Sequence, residues 1–330
     1  MNPFTYTRAA TLGDAVSAGH EPATHFISGG TNLVDLMKAG VARPKRLVDL
    51  TRLPLATIDD LPDGGLRLGA LVTNAATAYD PRVAERYPML ARAILAGASA
   101  QLRNVATDGG NLLQRTRCYY FYDTATPCNK RQPGSGCGAI RGVNRIHAIL
   151  GQSEHCIATH PSDMCVALAA LAATVRVVGP TGERTIPFAE FHRLPGDTPE
   201  VDNNLQPGEV VTALDLPPQG FATHYTYVKV RDRASYAFAL VSAAVGVEMD
   251  GETITTARLA LGGVAHKPWR DEAAEALLVG KPATRESFQA VADAVVAQAK
   301  GYEHNAFKID LAKRVIVRAL SEATGVEPRP

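Results

Sequence analysis

Apolar positions along the 330 residues fall into short, unequal bursts. Over the first 115 residues short helical and extended patterns alternate. Thr11 caps a helical pattern that runs through Ala18, residues 23–27 read as a short strand, and a helix predicted from Asn32 to Ala39 is stopped by Gly40. Residues 66–72 alternate like a strand, and Met89 to Ala96 is helical again. The most apolar stretch, Met164 to Val178, is shorter than the roughly 20 residues that span a bilayer, and reads as a buried helix running into a strand. A hairpin across Pro180 to Gly182 and a strand from Glu209 to Leu216 follow.

Pro217, Pro218 and Gly220 then mark a boundary between residues 1–219 and 220–330. Beyond it, His224 to Arg231, Phe238 to Met249 and Thr253 to Gly262 read as strands, the last two joined by an Asp250-Gly251 turn. Two amphipathic helices close the chain, one presenting Phe288, Val291 and Val295, the other Phe307, Leu311, Val315 and Leu320. The predicted class is α+β, ending in a small domain with a three-strand antiparallel sheet and helices on one side.

Between these regular parts lies a stretch, Gln114 to Gly151, with no sustained period, dense in Arg, Tyr, Cys, Pro and Gly. A loop of that length in a folded domain needs something other than an apolar core to organise it. Composition excludes disorder, with 46% hydrophobic residues, and a formal charge of +1 excludes a polyanion-binding surface spread over the whole protein. That near-neutrality conceals a cationic segment: residues 101–150 hold seven cations (Arg103, Arg115, Arg117, Lys130, Arg131, Arg141, Arg145) against Asp108 and Asp123. Tyr119, Tyr120, Phe121 and Tyr122 stand beside two of these arginines, but consecutive aromatics do not space along a strand, so nucleic acid is not the expected partner.

Cys118, Cys128, Cys137 and Cys156 fall inside 39 residues, whereas the fifth, Cys165, sits in the apolar stretch as a buried residue. Close C-x2-C pairs are absent, which weighs against zinc, and a chain of this size needs no disulfide staples. Four spaced thiolates in an otherwise structureless loop suit a 4Fe-4S cluster, with neighbouring cations offsetting its negative charge. On spacing alone, zinc and free or disulfide-bonded cysteines stay open.

Two Gly-Gly loops add a second chemistry. Ile27-Ser28-Gly29-Gly30-Thr31-Asn32-Leu33 lies between a strand and a helix, and the theme recurs at Thr107-Asp108-Gly109-Gly110-Asn111-Leu112. Paired glycines let backbone amides approach a phosphate, and two such loops suit a pyrophosphate gripped from both sides. G-x-G-x-x-G and P-loop spacings are absent, so the expected dinucleotide fold is not of Rossmann type.

Ser28 to Leu33, Gly109 to Leu112, His160-Pro161-Ser162-Asp163 and Lys229-Val230-Arg231-Asp232-Arg233 occur in that order. In these motifs the chain resembles the FAD-binding subunits of molybdenum hydroxylases, the xanthine dehydrogenase and aldehyde oxidoreductase family, over essentially its whole length. Asn111 to Cys118 and the later cysteines resemble the branch whose flavin subunit carries an extra 4Fe-4S cluster. The resemblance implies a two-subdomain FAD-binding fold of the vanillyl-alcohol oxidase type followed by a small C-terminal domain. It implies that Ile27 to Leu33 contact the FAD pyrophosphate and that Thr107, Gly110 and Asn111 close the second side. Asp163 would meet the ribityl or ribose hydroxyls and Lys229 would lie near the flavin ring, while Cys118, Cys128, Cys137 and Cys156 would hold the cluster. His160 is not expected to bind flavin covalently.

The implied role is electron transfer. A large partner with a molybdenum cofactor would oxidise an aldehyde, a small partner with 2Fe-2S clusters would deliver electrons to FAD, and no residue of this chain is expected to act as base or nucleophile. The alternatives are a self-sufficient flavin oxidase and a zinc-stabilised binding module. Met1 to Ala10 contain neither an apolar export core nor a twin-Arg pair. Periplasmic location, reached by co-export with a twin-Arg-bearing partner, is the expectation from the branch resemblance, with the cytoplasm as the alternative.

Overall fold

Thr11 closes a capping box: its Oγ1 accepts from the Asp14 amide at 3.1 Å and the Asp14 carboxylate accepts from the Thr11 amide at 2.9 Å, which starts the helix Leu12–Gly19. That helix belongs to a computed structural model in which residues 1–326 are described. It connects strands β1 (Thr5–Arg8) and β2 (Thr24–Ile27), which lie on either side of β3 (Arg46–Asp49) in a parallel three-stranded sheet. Neither β1 nor β3 is visible as a pattern in the sequence. All four residues of β1 are exposed, so nothing in them alternates.

A second, antiparallel sheet contains β4 (Ile58–Asp60), β5 (Leu66–Gly69), β6 (Thr174–Gly179), β7 (Gly182–Pro187) and β8 (Val210–Leu216), in the order β4-β5-β8-β6-β7. It shares an apolar core with the helix Asp163–Ala170, which is buried at all eight positions and packed against the helix Pro88–Ala96. Burial on every side explains why this stretch reads as uniformly apolar rather than periodic.

The third sheet holds β9 (Tyr225–Val230), β10 (Val241–Asp250), β11 (Thr253–Gly262) and β12 (Trp269–Arg270). It is antiparallel in the order β12-β11-β10-β9. The expected three strands are therefore four, because two residues around Trp269 extend the edge of β11, too few for a period to show. Helices also cover both faces instead of one. Val241, Ala243 and Val245 point into a core with the helices Arg285–Val295 and Phe307–Thr324, whereas Ala244 and Ala260 join the core built on Asp163–Ala170. The C-terminal sheet is thereby fused to the first 219 residues through shared apolar burial.

In the last helix the predicted core residue Phe307 is 39% exposed, under the Arg145 guanidinium at 4.7 Å. Lys308 is buried in its place, its ammonium satisfied by the carbonyls of His147, at 2.8 Å, and Gly263. Among the described residues no helix is long and apolar enough to cross a membrane.

Candidate functional site

The two Gly-Gly loops meet. Ser28 Oγ lies 2.8 Å from Thr107 Oγ1, and a Cβ on Gly29 would stand 2.0 Å from the Val105 carbonyl oxygen, so only glycine lets the first loop close on the segment before the second. Together they border a cavity of about 1110 Å³. Ile27, Ser28, Gly29, Gly30, Thr31, Asn32, Leu33, Thr107, Gly110, Asn111, Asp163 and Lys229 all line it.

The loops are not equivalent. Among the described residues the amides of Gly29, Gly30, Thr31 and Asn32 donate to no protein acceptor, and Asn32 Nδ2 is buried without a partner. Gly30 has φ +69°, the left-handed conformation that turns successive amides the same way. In the second loop the amides are spent: Asp108 donates to Val72, Gly109 to Ala70, and Gly110 to Thr107 Oγ1 at 3.3 Å. Asn74 and Thr77 donate to the fully buried Asp108 carboxylate and pin the loop from below, while burial pushes that carboxyl up to about 7. One loop is thus open, and the closed one braces it.

Asn111, Asp163 and Lys229 have partners within the chain. Asn111 gives its Nδ2 to Asn74 and receives Gln114 and Ser162 at its Oδ1, so its side chain ties the wall together. Asp163 and Lys229 form one buried ion pair at 2.8 Å instead of two independent polar groups. Tyr227 donates to the second Asp163 oxygen at 2.6 Å, and Lys229 also donates to the Ala96 carbonyl at 3.0 Å. Ser162, not Asp163, caps the following helix. Half-exposed Tyr119, Tyr236 and Phe238 also stand on the cavity wall without a motif to mark them there, the last two just beyond the Lys229 to Arg233 motif.

The irregular segment has its own centre. Cys118, Cys128, Cys137 and Cys156 line one small enclosed cavity, all as free cysteines, and Cys128 and Cys137 face each other across an isolated antiparallel bridge. Burial pushes the Cys118 thiol up to about 12. Contact with Cys137, then burial, pushes the Cys156 thiol up as well, and the same contact pulls the Cys137 thiol down. Cys165 lies elsewhere, in the helix Asp163–Ala170. Among the described residues only His160, Cys165 and His192 bring three ligand-type atoms within 4.8 Å of one another; no three of the loop cysteines do. Four thiolates at about 2.3 Å from a single zinc ion would be closer together than that.

The cations of the segment also hold the chain, and Lys130 does so from the wall of the cysteine cavity itself. Arg131 donates to the carbonyls of Tyr120, Phe121 and Thr126, replacing the hydrogen bonds a regular element would supply. Lys130 and Arg115 both pair with Asp202, from the Pro- and Asp-rich stretch before β8. Burial alone would raise the Asp202 carboxyl, but Lys130 and Arg115 outweigh it and hold it at about 2. A depressed folded value stabilises above the ordinary Asp range and is lost as pH falls through the folded one. Asp202→Asn leaves Lys130 buried without its counter-charge and is expected to cost about 3 kcal/mol at pH 7. Thermal unfolding should show the same gap between wild type and variant at pH 7 and pH 5, closing only below about pH 4.

Residues 2–219 match the family model described as the FAD binding domain in molybdopterin dehydrogenase, and residues 225–323 match the CO dehydrogenase flavoprotein C-terminal domain. The aldehyde oxidoreductase FAD-binding subunit PaoB of Escherichia coli (strain K12) is 52% identical over 98% of this chain and 99% of its own length. The carbon monoxide dehydrogenase medium chain of Hydrogenophaga pseudoflava is 26% identical over 97% of this chain and 96% of its own length. A solved structure of carbon monoxide dehydrogenase from that organism, lacking the Mo-pyranopterin moiety, superposes with a TM-score of 0.77 at 27% identity and covers 99% of both chains. Matched from end to end in fold and family, the chain belongs to the molybdenum hydroxylase family as one of its FAD-binding flavoprotein subunits, an oxidoreductase component.

Proposed function

We propose that this chain is the electron-transfer subunit of a molybdenum-dependent aldehyde oxidoreductase, holding FAD in the large cavity and a 4Fe-4S cluster among the four loop cysteines. The observation that carries it is the open first loop: four unpartnered amides and the orphaned Asn32 Nδ2 on the wall of a cavity of about 1110 Å³. Those donors suit the pyrophosphate of FAD, and the residues around them fit the group. Gly29 and Gly30 let the backbone approach it, while Thr107 and the second loop brace the first. The Asp163–Lys229 pair offers a carboxylate for hydroxyls and an ammonium beside the flavin. Bound FAD would supply the exchange between two-electron and one-electron carriers; the chain would bind and orient it.

For the cluster, the support is four free cysteines around one cavity, spread too widely for a single ion. The partners are a large molybdenum-cofactor subunit and a small 2Fe-2S subunit, in keeping with the 52% identity to an aldehyde oxidoreductase subunit. The test is composition and turnover of the protein purified with its partners. It should contain about one FAD and, beyond the partners' iron, about four iron and four sulfide per copy of this chain. An aldehyde should be oxidised only when the molybdenum subunit is present. Stoichiometric zinc in a chain without flavin absorbance removes the proposal.

A further inference from the structure

His147 is 1% exposed, and its Nε2 lies 3.1 Å from the sulfur of Cys118. Nothing in the flavin chemistry uses it. Its position is set from two directions. The His147 amide donates to the Asn144 carbonyl at 3.0 Å, and Asn144 is itself tied to Ala139 of the loop, at 3.2 Å, and to the His304 amide, at 2.9 Å. The His147 carbonyl accepts from buried Lys308 at 2.8 Å and from Asn305 at 3.3 Å, both at the start of the last helix. The imidazole is therefore held against one sulfur by anchors in both the loop and the C-terminal domain.

A metal-bound cysteine is a thiolate and has no proton, so the hydrogen in a contact of this length resides on Nε2. We infer that His147 is a positioning residue for the cluster, donating a hydrogen bond from Nε2 to the Cys118 thiolate and so raising the reduction potential. The inference rests on the cluster reading above. One electron entering adds one negative charge to the thiolate-ligated group, and a donor to a ligand sulfur stabilises that more negative state. Because Lys308 and Asn305 hold the donor, the last helix of the C-terminal domain takes part in setting the potential.

The test is an EPR-monitored redox titration of the assembled complex with wild-type chain, His147→Leu and His147→Gln, with iron counted in each. His147→Leu should keep its iron and show a lower cluster potential, while His147→Gln, which retains an N–H donor, should stay near the wild-type value. An unchanged potential in an iron-replete His147→Leu overturns the inference. Should leucine strip the iron, the wild-type complex grown on 15N-histidine decides. Pulsed EPR of its reduced cluster should show one weakly coupled nitrogen that His147→Gln removes. Absence of that coupling, or a coupling as strong as that of a metal-bound nitrogen, overturns it. A wild-type chain lacking the cluster iron fails at the earlier step and overturns the cluster reading together with this one.

Discussion

Gly29→Ala will yield a folded chain that retains little FAD. Its Cβ would lie 2.0 Å from the Val105 oxygen and 2.8 Å from the Val105 carbonyl carbon, distances at which backbone meets backbone and no rotamer relieves the clash. The first loop must move away from residues 105–107, and that movement breaks the 2.8 Å Ser28–Thr107 contact that joins the two loops. Overpacking of this kind costs about 1–3 kcal/mol, roughly 5- to 150-fold in flavin affinity, since the loop that moves carries the four free amides. Gly30→Ala should cost less, about 1 kcal/mol from forcing a side chain into φ +69°, with Val34 Cγ2 at 3.1 Å able to yield. Gly134, at φ +82° with nothing within 4 Å of a Cβ, lies off the large cavity, and Gly134→Ala should leave flavin content unchanged. Flavin-to-protein ratios after desalting and fluorescence titration with FAD give the ranking. A Gly29→Ala chain that binds FAD like wild type removes the tight seam from the account.

Local chemistry was legible in the sequence wherever it sufficed to decide structure. Thr11 caps through Asp14, the third residue of the helix, and the Asp250-Gly251 turn joins β10 to β11 with Gly251 at φ +58°. The Gly-Gly motifs marked the cavity because their residues act as contiguous runs. Partnerships across the chain left no such trace. Asp163 and Lys229 are 66 residues apart and read as two separate polar groups, yet at 2.8 Å and nearly buried they must neutralise each other. Arg131 counted as one more cation for the sulfurs, whereas an irregular loop first needs its carbonyls satisfied, and a guanidinium does that for three at once. His147 offered no signal at all, being a lone histidine 29 residues from Cys118. Among the strands of three or four residues β2 and β5 registered, whereas β1, β3 and β4 left no pattern, because one or two alternations are at the limit of what a period can show.

The cysteine centre should respond in a way that the flavin cavity does not. Cys156→Ala is expected to lose most of its roughly four iron atoms while Cys165→Ala keeps them, although both residues are buried cysteines only nine positions apart. The difference follows from placement, since Cys156 lines the shared cavity and Cys165 sits inside an apolar helix where its role is packing. Loss of the cluster should also loosen the loop. Three of the eight buried residues in its apolar cluster, Cys118, Cys128 and Cys156, are cysteines, so without a metal to bond them the segment keeps only Leu36, Phe121, Ala139, Ile157 and Ala158 as its buried core. Limited trypsin digestion should then cut Cys156→Ala faster at exposed Arg141 than it cuts wild type, with flavin content much less affected because the Gly29 loop lies outside this cluster. Equal iron in the two variants, or equal proteolysis of Cys156→Ala and wild type, would show that the loop is held by its arginine and ion-pair contacts alone.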